Sequence, residues 1–191
     1  IMKEMGVDAT KAGFMVSSAL FGMMFGAIFL GTIADKIGRR WAIAICIVLF
    51  SVFTALAGLT KDPVWFSATR FLAGLGIGGV MPNVVAQMTE YSPKKIRATM
   101  VTLMFSGYAV GGMLAAVLGK QFIETYGWQS VFFAAGLPVL LIPFIMKSMP
   151  ESLPFLIAHH DDSHLREIAK RIQPGLKMEA HEEFLVPAED R

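Results

Sequence analysis

A single cysteine among 191 residues, Cys46, excludes an internal disulfide framework, and its place within an apolar run reads as a small packing residue. Charge is scarce too. Asp, Glu, Lys and Arg make up 17% of the chain, whereas a water-soluble domain of this length carries about 25%. The stretches 13–34, 41–60, 99–119 and 128–146 contain none of these residues at all. No basic patch with interleaved aromatics is present, which excludes a nucleic-acid partner. The opening Ile1-Met2-Lys3-Glu4-Met5-Gly6 lacks the charged, apolar, then small pattern of a cleavable leader. There is no Gly-x-Ser-x-Gly, no His-Glu-x-x-His and no cluster of His or acids within an apolar run, so nothing points to a membrane enzyme. His159, His160, His164 and His181 lack the ligand spacing of a metal site and read as solvated side chains.

What is abundant is apolar length. The hydrophobic fraction is 54% and the mean hydropathy +0.56. Five spans are predicted, at roughly 13–34, 41–60, 64–88, 99–119 and 129–147. Each approaches the ~20 residues a helix needs to cross about 30 Å of hydrocarbon. They are apolar all round, without the single stripe of a water-facing helix. The fold class is therefore an all-α membrane protein. The net charge of +2 says little about partners, because the placement of Lys and Arg matters more than their sum. Lys36, Arg39 and Arg40 crowd the loop at 35–40, and Lys94, Lys95 and Arg97 the loop at 90–97. The alternate loops hold only Lys61 and Lys120. The bias of basic residues toward the cytoplasm puts 35–40, 90–97 and the tail 149–191 inside, and 1–12 in the periplasm. A polar start on that side calls for an apolar span ahead of Ile1. Past Pro150, Asp161-Asp162-Ser163 can cap a short helix reaching Arg171 or Ile172, stopped by Pro174-Gly175.

Several residues stand out against this background. In Gly31-Thr32-Ile33-Ala34-Asp35-Lys36-Ile37-Gly38-Arg39-Arg40, Gly31 permits close helix approach and Gly38 a tight turn. Asp35 would end a helix, where the dipole disfavours a carboxylate, so it needs Arg39 or Arg40 nearby. Arg70 is the only charge well inside a span, and such a charge costs at least about 2.5 kcal/mol. Two readings of it stand together: a functional cation, or a side chain reaching back to the nearer interface. Gly74, Gly76 and Gly79 satisfy G-x-G-x-x-G, but that fingerprint needs a strand before it and a helix opening after it. Here it lies inside a long apolar run with Pro82 close behind, so a nucleotide site is rejected. Gly76, Gly79 and Asn83 share a helical face with Gln87 a turn on, and the Asn83 amide suits either an interhelical bond or a wet cavity. Gly107 and Gly111 form a small-xxx-small pair continued by Gly112 and Gly119.

The 31–40 string resembles the signature between the second and third helices of major facilitator superfamily transporters. Arg70 with Phe71 to Gly79 resembles the Arg-and-glycine motif of their fourth helix. Glu90-Tyr91-Ser92-Pro93-Lys94-Lys95-Ile96-Arg97 resembles their Glu-x6-Arg motif, and Pro150-Glu151-Ser152 the loop signature after the sixth helix. The motifs occur in family order across nearly the whole chain. Within the superfamily, three sets of strings look like the aromatic acid:proton symporters. They are Gly78-Gly79-Val80-Met81-Pro82-Asn83 with Glu90-Tyr91-Ser92-Pro93, Met104-Phe105-Ser106-Gly107-Tyr108, and Tyr126-Gly127-Trp128 with Pro150-Glu151-Ser152. Phe71 to Ala86 is most similar to the benzoate transporter branch, with muconate, hydroxybenzoate and vanillate carriers also similar.

The resemblance implies the N-terminal six-helix bundle of such a carrier, five of its spans being present and the first lying outside this chain. It implies proton-coupled import of an aromatic carboxylate such as benzoate by alternating access, in a bacterial inner membrane. The implied partners are the lipid bilayer, a small aromatic acid, protons and the C-terminal half of the same carrier. No cofactor is implied, the proton gradient being the energy source. Gly31, Asp35, Gly38, Arg39, Arg40, Glu90 and Arg97 would form the gating and charge network, with Arg39 bridging Asp35 and Glu90. Arg70 and Asn83 would be candidates for substrate or proton coupling, and Gly74, Gly76, Gly78, Gly79, Gly107 and Gly111 for helix packing. Acidic proton-coupling residues would lie in the first helix. Carriers of nicotinate, muconate, another carboxylate or a sugar, a passive channel, and an inert fragment are the competing readings.

Overall fold

A computed structural model describes residues 5–159 of the chain. Four long helices come first: α1 (Ala9–Ile37), α2 (Arg39–Leu59), α3 (Pro63–Tyr91) and α4 (Arg97–Tyr126). A fifth span, Gln129–Ser148, is built of α5 (Gln129–Ala134), a 3-10 segment (Leu137–Leu141) and α6 (Ile142–Ser148), and a short α7 (Leu153–Ala158) follows. All five are long and apolar enough to cross a membrane. Among the described residues there is no strand.

Local chemistry sets the helix ends. α1 begins at Ala9, ahead of the apolar run opening at 13, because the Asp8 carboxylate accepts from the Ala9 N–H at 2.8 Å. α3 starts with Pro63 at its first position and the Asp62 carboxylate accepting from Val64 N–H at 2.7 Å. Gly38, at φ +90° and ψ 145°, separates α1 from α2 and donates its N–H to Ala34 C=O. The fifth span, predicted as one run, is broken in the middle. Pro138 and Pro143 lack the N–H that would reach back to Ala134 and Val139, so the backbone tightens into 3-10 geometry between them. The helix expected after Asp161 lies outside the described residues, and the described one after Pro150 is α7.

α1 and α3 form the closest pair, and glycine is the reason. A Cβ at Gly22 or Gly26 would be driven onto the carbonyl oxygens of Phe71 or Leu75, and one at Gly74 or Gly78 onto those of Ala19 or Met23. The backbones therefore touch along a seam contributed by both helices. α2 closes on the other side of α3, where a Cβ at Gly76 would meet Phe50 N at 2.6 Å and one at Gly79 would meet Cys46 Sγ at 2.7 Å. The outward faces are apolar: Phe14, Val16, Leu20, Phe21, Ile28 and Phe29 of α1 are all exposed. Water-soluble monomers rarely expose so many large apolar side chains along one helix.

Candidate functional site

Two regions of the bundle bear on function, and one of them brings predicted site residues together. At the end carrying Gly38, Arg39 Nη1 pairs with Glu90 Oε1, joining the start of α2 to the end of α3. The second Glu90 oxygen accepts from Ser152 Oγ at 3.0 Å. Glu151, next in the chain, turns its carboxylate into the space beside Gly38 and accepts from the Arg40 backbone N–H at 3.0 Å. Tyr91 donates its hydroxyl to the Glu151 C=O, and the Gln87 amide donates to Pro150 C=O at 2.8 Å. The segment 150–152 is thus clamped onto the ends of α2 and α3.

The predicted bridge from Arg39 to Asp35 is not made. Asp35 is exposed, and no ion pair joins it to a described residue, because α1 ends with that side of the turn facing outward. Arg97 makes no ion pair with a described residue either: the Glu90 carboxylate is taken by Arg39 and Ser152, and the buried Arg97 Nε has no hydrogen-bond partner. Arg40 enters the network through its backbone, its own Nε being buried without a partner. Glu151, Ser152, Tyr91 and Gln87 were not among the site residues read from the sequence; the Pro-Glu-Ser loop was the signal that pointed there.

Deeper in the bundle lies an apolar cleft of ≈ 560 Å³, within the range of small-ligand sites. Val80 and Met81 of α3 face Met104, Phe105 and Tyr108 of α4 across it. Two of the three sets of strings that looked like aromatic acid symporters therefore meet at one opening. Met23, Ile47, Phe50 and Pro138 complete most of the wall. Asn83 does not reach the cleft. It is 3% exposed, and its amide donates to Gly79 C=O at 2.7 Å and to Leu30 C=O at 3.4 Å, so of its two readings the geometry favours the interhelical bond.

Arg70 does not line the cleft either. It sits seven residues before Ile77, roughly 10 Å along the same helix, with its guanidinium 5.8 Å over the Phe132 ring. Among the described residues it has no carboxylate partner. Among the described residues nothing packs on Gly107 or Gly111: a Cβ at either would meet no atom within 4 Å, on a helix whose face is open here. Gly31 is in ordinary contact with Pro82 at 3.7 Å, leaving the closest approaches to Gly22, Gly26, Gly74 and Gly78. The first two form a G-x-x-x-G pair that the sequence displays and the motif reading passed over. Among the described residues no three His, Cys, Asp or Glu gather as a metal site; His159 lies against the Phe155 ring at 4.1 Å, and the other histidines are outside the described residues.

A bundle of membrane-length helices, tied at one end by a charged belt and opened between α3 and α4 by an apolar cleft, is the architecture of a membrane transport protein. The chain belongs to the sugar (and other) transporter family, whose pattern matches residues 3–185. It is 48% identical to the benzoate transport protein of Acinetobacter baylyi over 97% of this chain and 41% of that protein. It is 32% identical to the niacin transporter NiaP of the same organism, over 91% of this chain and 39% of that one. Its fold matches that of the proton:xylose symporter XylE, bound to 6-bromo-6-deoxy-D-glucose, with a TM-score of 0.79 at 21% identity, over 89% of this chain and 42% of XylE. The chain thus spans less than half the length of these relatives.

Proposed function

We propose that this chain is the greater part of the N-terminal half of a proton-coupled carrier importing a small aromatic carboxylate, benzoate first, across a bacterial inner membrane. The observation that carries the reading is Arg70, an intramembrane cation with no carboxylate partner among the described residues, on the helix that also walls an apolar cleft. An aromatic acid needs both features: a positive partner for its carboxylate and a water-poor surface for its ring. The names of the benzoate and niacin relatives support the substrate class, since each names a single-ring aromatic acid or its anion. Alternating access between two six-helix halves would bring Arg70 and the cleft to the substrate in turn. No cofactor takes part; protons moving down their gradient supply the energy. The loops at 35–40 and 90–97 and the tail 149–191 face the cytoplasm, with residues 1–12 in the periplasm. The Arg39–Glu90 pair, with Glu151, then serves as a cytoplasmic latch that holds in one state and releases in the other.

Uptake of labelled benzoate by the full-length carrier in proteoliposomes tests the reading. Arg70→Ala lowers uptake by at least about tenfold, and a protonophore abolishes accumulation. Unchanged KM and rate for Arg70→Ala removes the anion-partner role, and accumulation that survives the protonophore removes proton coupling. Competition by niacin, muconate and xylose separates the substrate classes. If niacin outcompetes benzoate, the second reading, a pyridine carboxylate carrier, replaces the first. For the latch, Glu90→Gln, which removes the charge that Arg39 pairs with, abolishes transport at a normal level of carrier in the membrane; loss of insertion instead makes that contact structural.

A further inference from the structure

We propose that Phe132 is a positioning residue for Arg70, holding the guanidinium by its ring face so that the N–H donors stay available to a carboxylate; this rests on the reading of Arg70 given above. Phe132 is itself fixed from several sides. Its ring meets Phe66 at 5.6 Å and 65° and Trp128 at 5.6 Å and 88°. Phe66 and Trp128 meet each other at 6.3 Å and 71°, and each is 6% exposed. On its α2 side, Gly58 makes the room: a Cβ there would come within 2.8 Å of Phe132 Cβ. Elements far apart in the chain thus combine into an aromatic platform beneath one cation.

The chemistry of that arrangement differs from an ion pair. A carboxylate beside Arg70 would neutralise it and occupy the planar fork of donors. A ring face attracts the cation through its quadrupole and accepts no conventional hydrogen bond, so charge and fork both remain for an incoming anion. Among the described residues the Arg70 guanidinium has no ion pair, and its ring contact is with Phe132. The platform also limits the rotamers of a long side chain, which would otherwise lose that freedom when substrate binds.

The experiment compares benzoate uptake with inhibition by benzamide, a neutral isostere, using the full-length carrier in proteoliposomes. Phe132→Leu keeps apolar bulk and removes the ring; Phe132→Tyr keeps the ring. Phe132→Leu is expected to raise KM for benzoate about threefold to tenfold, leaving the maximal rate per carrier and the benzamide inhibition constant within about twofold. Phe132→Tyr stays within about twofold of the parent on all three measures. Equal weakening of benzoate and benzamide by Phe132→Leu overturns the proposal, because packing and not charge is then disturbed. An unchanged KM overturns it as well. If the leucine variant fails to reach the membrane, Phe132→Met makes the same comparison with a more adaptable side chain. Arg70→Gln is measured alongside: an unchanged benzoate KM there removes the role of Arg70 itself, whereas a raised KM with normal Phe132→Leu removes the platform alone.

Discussion

Glu151 stands where Gly38 leaves room for it. The first N–H groups of α2 have no partners within the helix, and Gly38, at the capping position, has no side chain to offer. The Glu151 carboxylate accepts from Arg40 N–H instead, placing a negative charge at the positive end of the helix dipole. Gly38 also holds φ +90° and ψ 145°, close to a region that only glycine adopts readily. Gly38→Ala therefore destabilises on two counts: backbone strain of about 1–3 kcal/mol and displacement of the carboxylate. Glu151→Ala, which removes the cap together with the bond that the same oxygen accepts from Ser152 N–H at 3.0 Å, costs about 1 kcal/mol. The double variant falls short of the sum, because the carboxylate has already been displaced by the alanine at 38. Thermal unfolding of the full carrier in detergent measures all three, and strict additivity sinks the idea that Glu151 caps α2 across that gap. A tight turn at Gly38 was legible from the sequence; the neighbour filling its empty side was not, since Glu151 lies far along the chain. Asp35 was misplaced for a related reason. Its spacing to Arg39 permits a pair, but the turn at Gly38 points the two side chains to different surroundings.

At the level of helices, apolar length was easy to read, because hydrocarbon imposes both the number of residues and the lack of charge. Which helix packs on which was not. Small residues at four-residue spacing occur on α1, α3 and α4 alike, and only the tertiary arrangement puts the first two face to face while leaving α4 open. The broken fifth span was readable in principle from Pro138 and Pro143, but hydropathy alone runs smoothly across it. The crossing of α1 and α3 makes a contrast among glycines that motif membership would not predict. Gly26→Ala and Gly78→Ala push a methyl onto the carbonyl oxygens of Leu75 and Met23 in the facing helix, with the carbonyl carbons behind them at 2.8 Å and 2.7 Å. Neither backbone can give way cheaply, so each should cost roughly 1–3 kcal/mol or more and deplete the carrier in the membrane. Gly31→Ala meets only the Pro82 ring at 3.7 Å and leaves the membrane level near that of the parent. Immunoblots of membrane fractions measure this; a normal level for Gly78→Ala would mean that the helices are not in backbone contact.

Across the whole molecule, apolar exteriors lie between two polar ends, and those ends differ in charge. Arg39, Arg40, Lys94, Lys95 and Arg97 gather at one end, while Lys61 and Lys120 stand at the other. A bilayer reads this difference during insertion, so the orientation of the chain follows from a few loop residues more than from its helices. The same charges make the test direct. Lys94 and Lys61 are exposed at opposite ends, and the native thiol, Cys46, is fully buried between α2 and α3. In a full-length carrier whose other cysteines have been replaced, Cys46 gives a silent background to a membrane-impermeant maleimide. Lys94→Cys should react in inside-out bacterial vesicles and stay unlabelled in right-side-out ones, and Lys61→Cys should do the reverse. Labelling of both from one side would show that the chain does not cross the bilayer between them an odd number of times, which α3 alone requires. The swapped pattern would keep the spans and invert the carrier, putting Glu90, Arg39 and Glu151 on the outer face, where a latch closing toward the cytoplasm has no place.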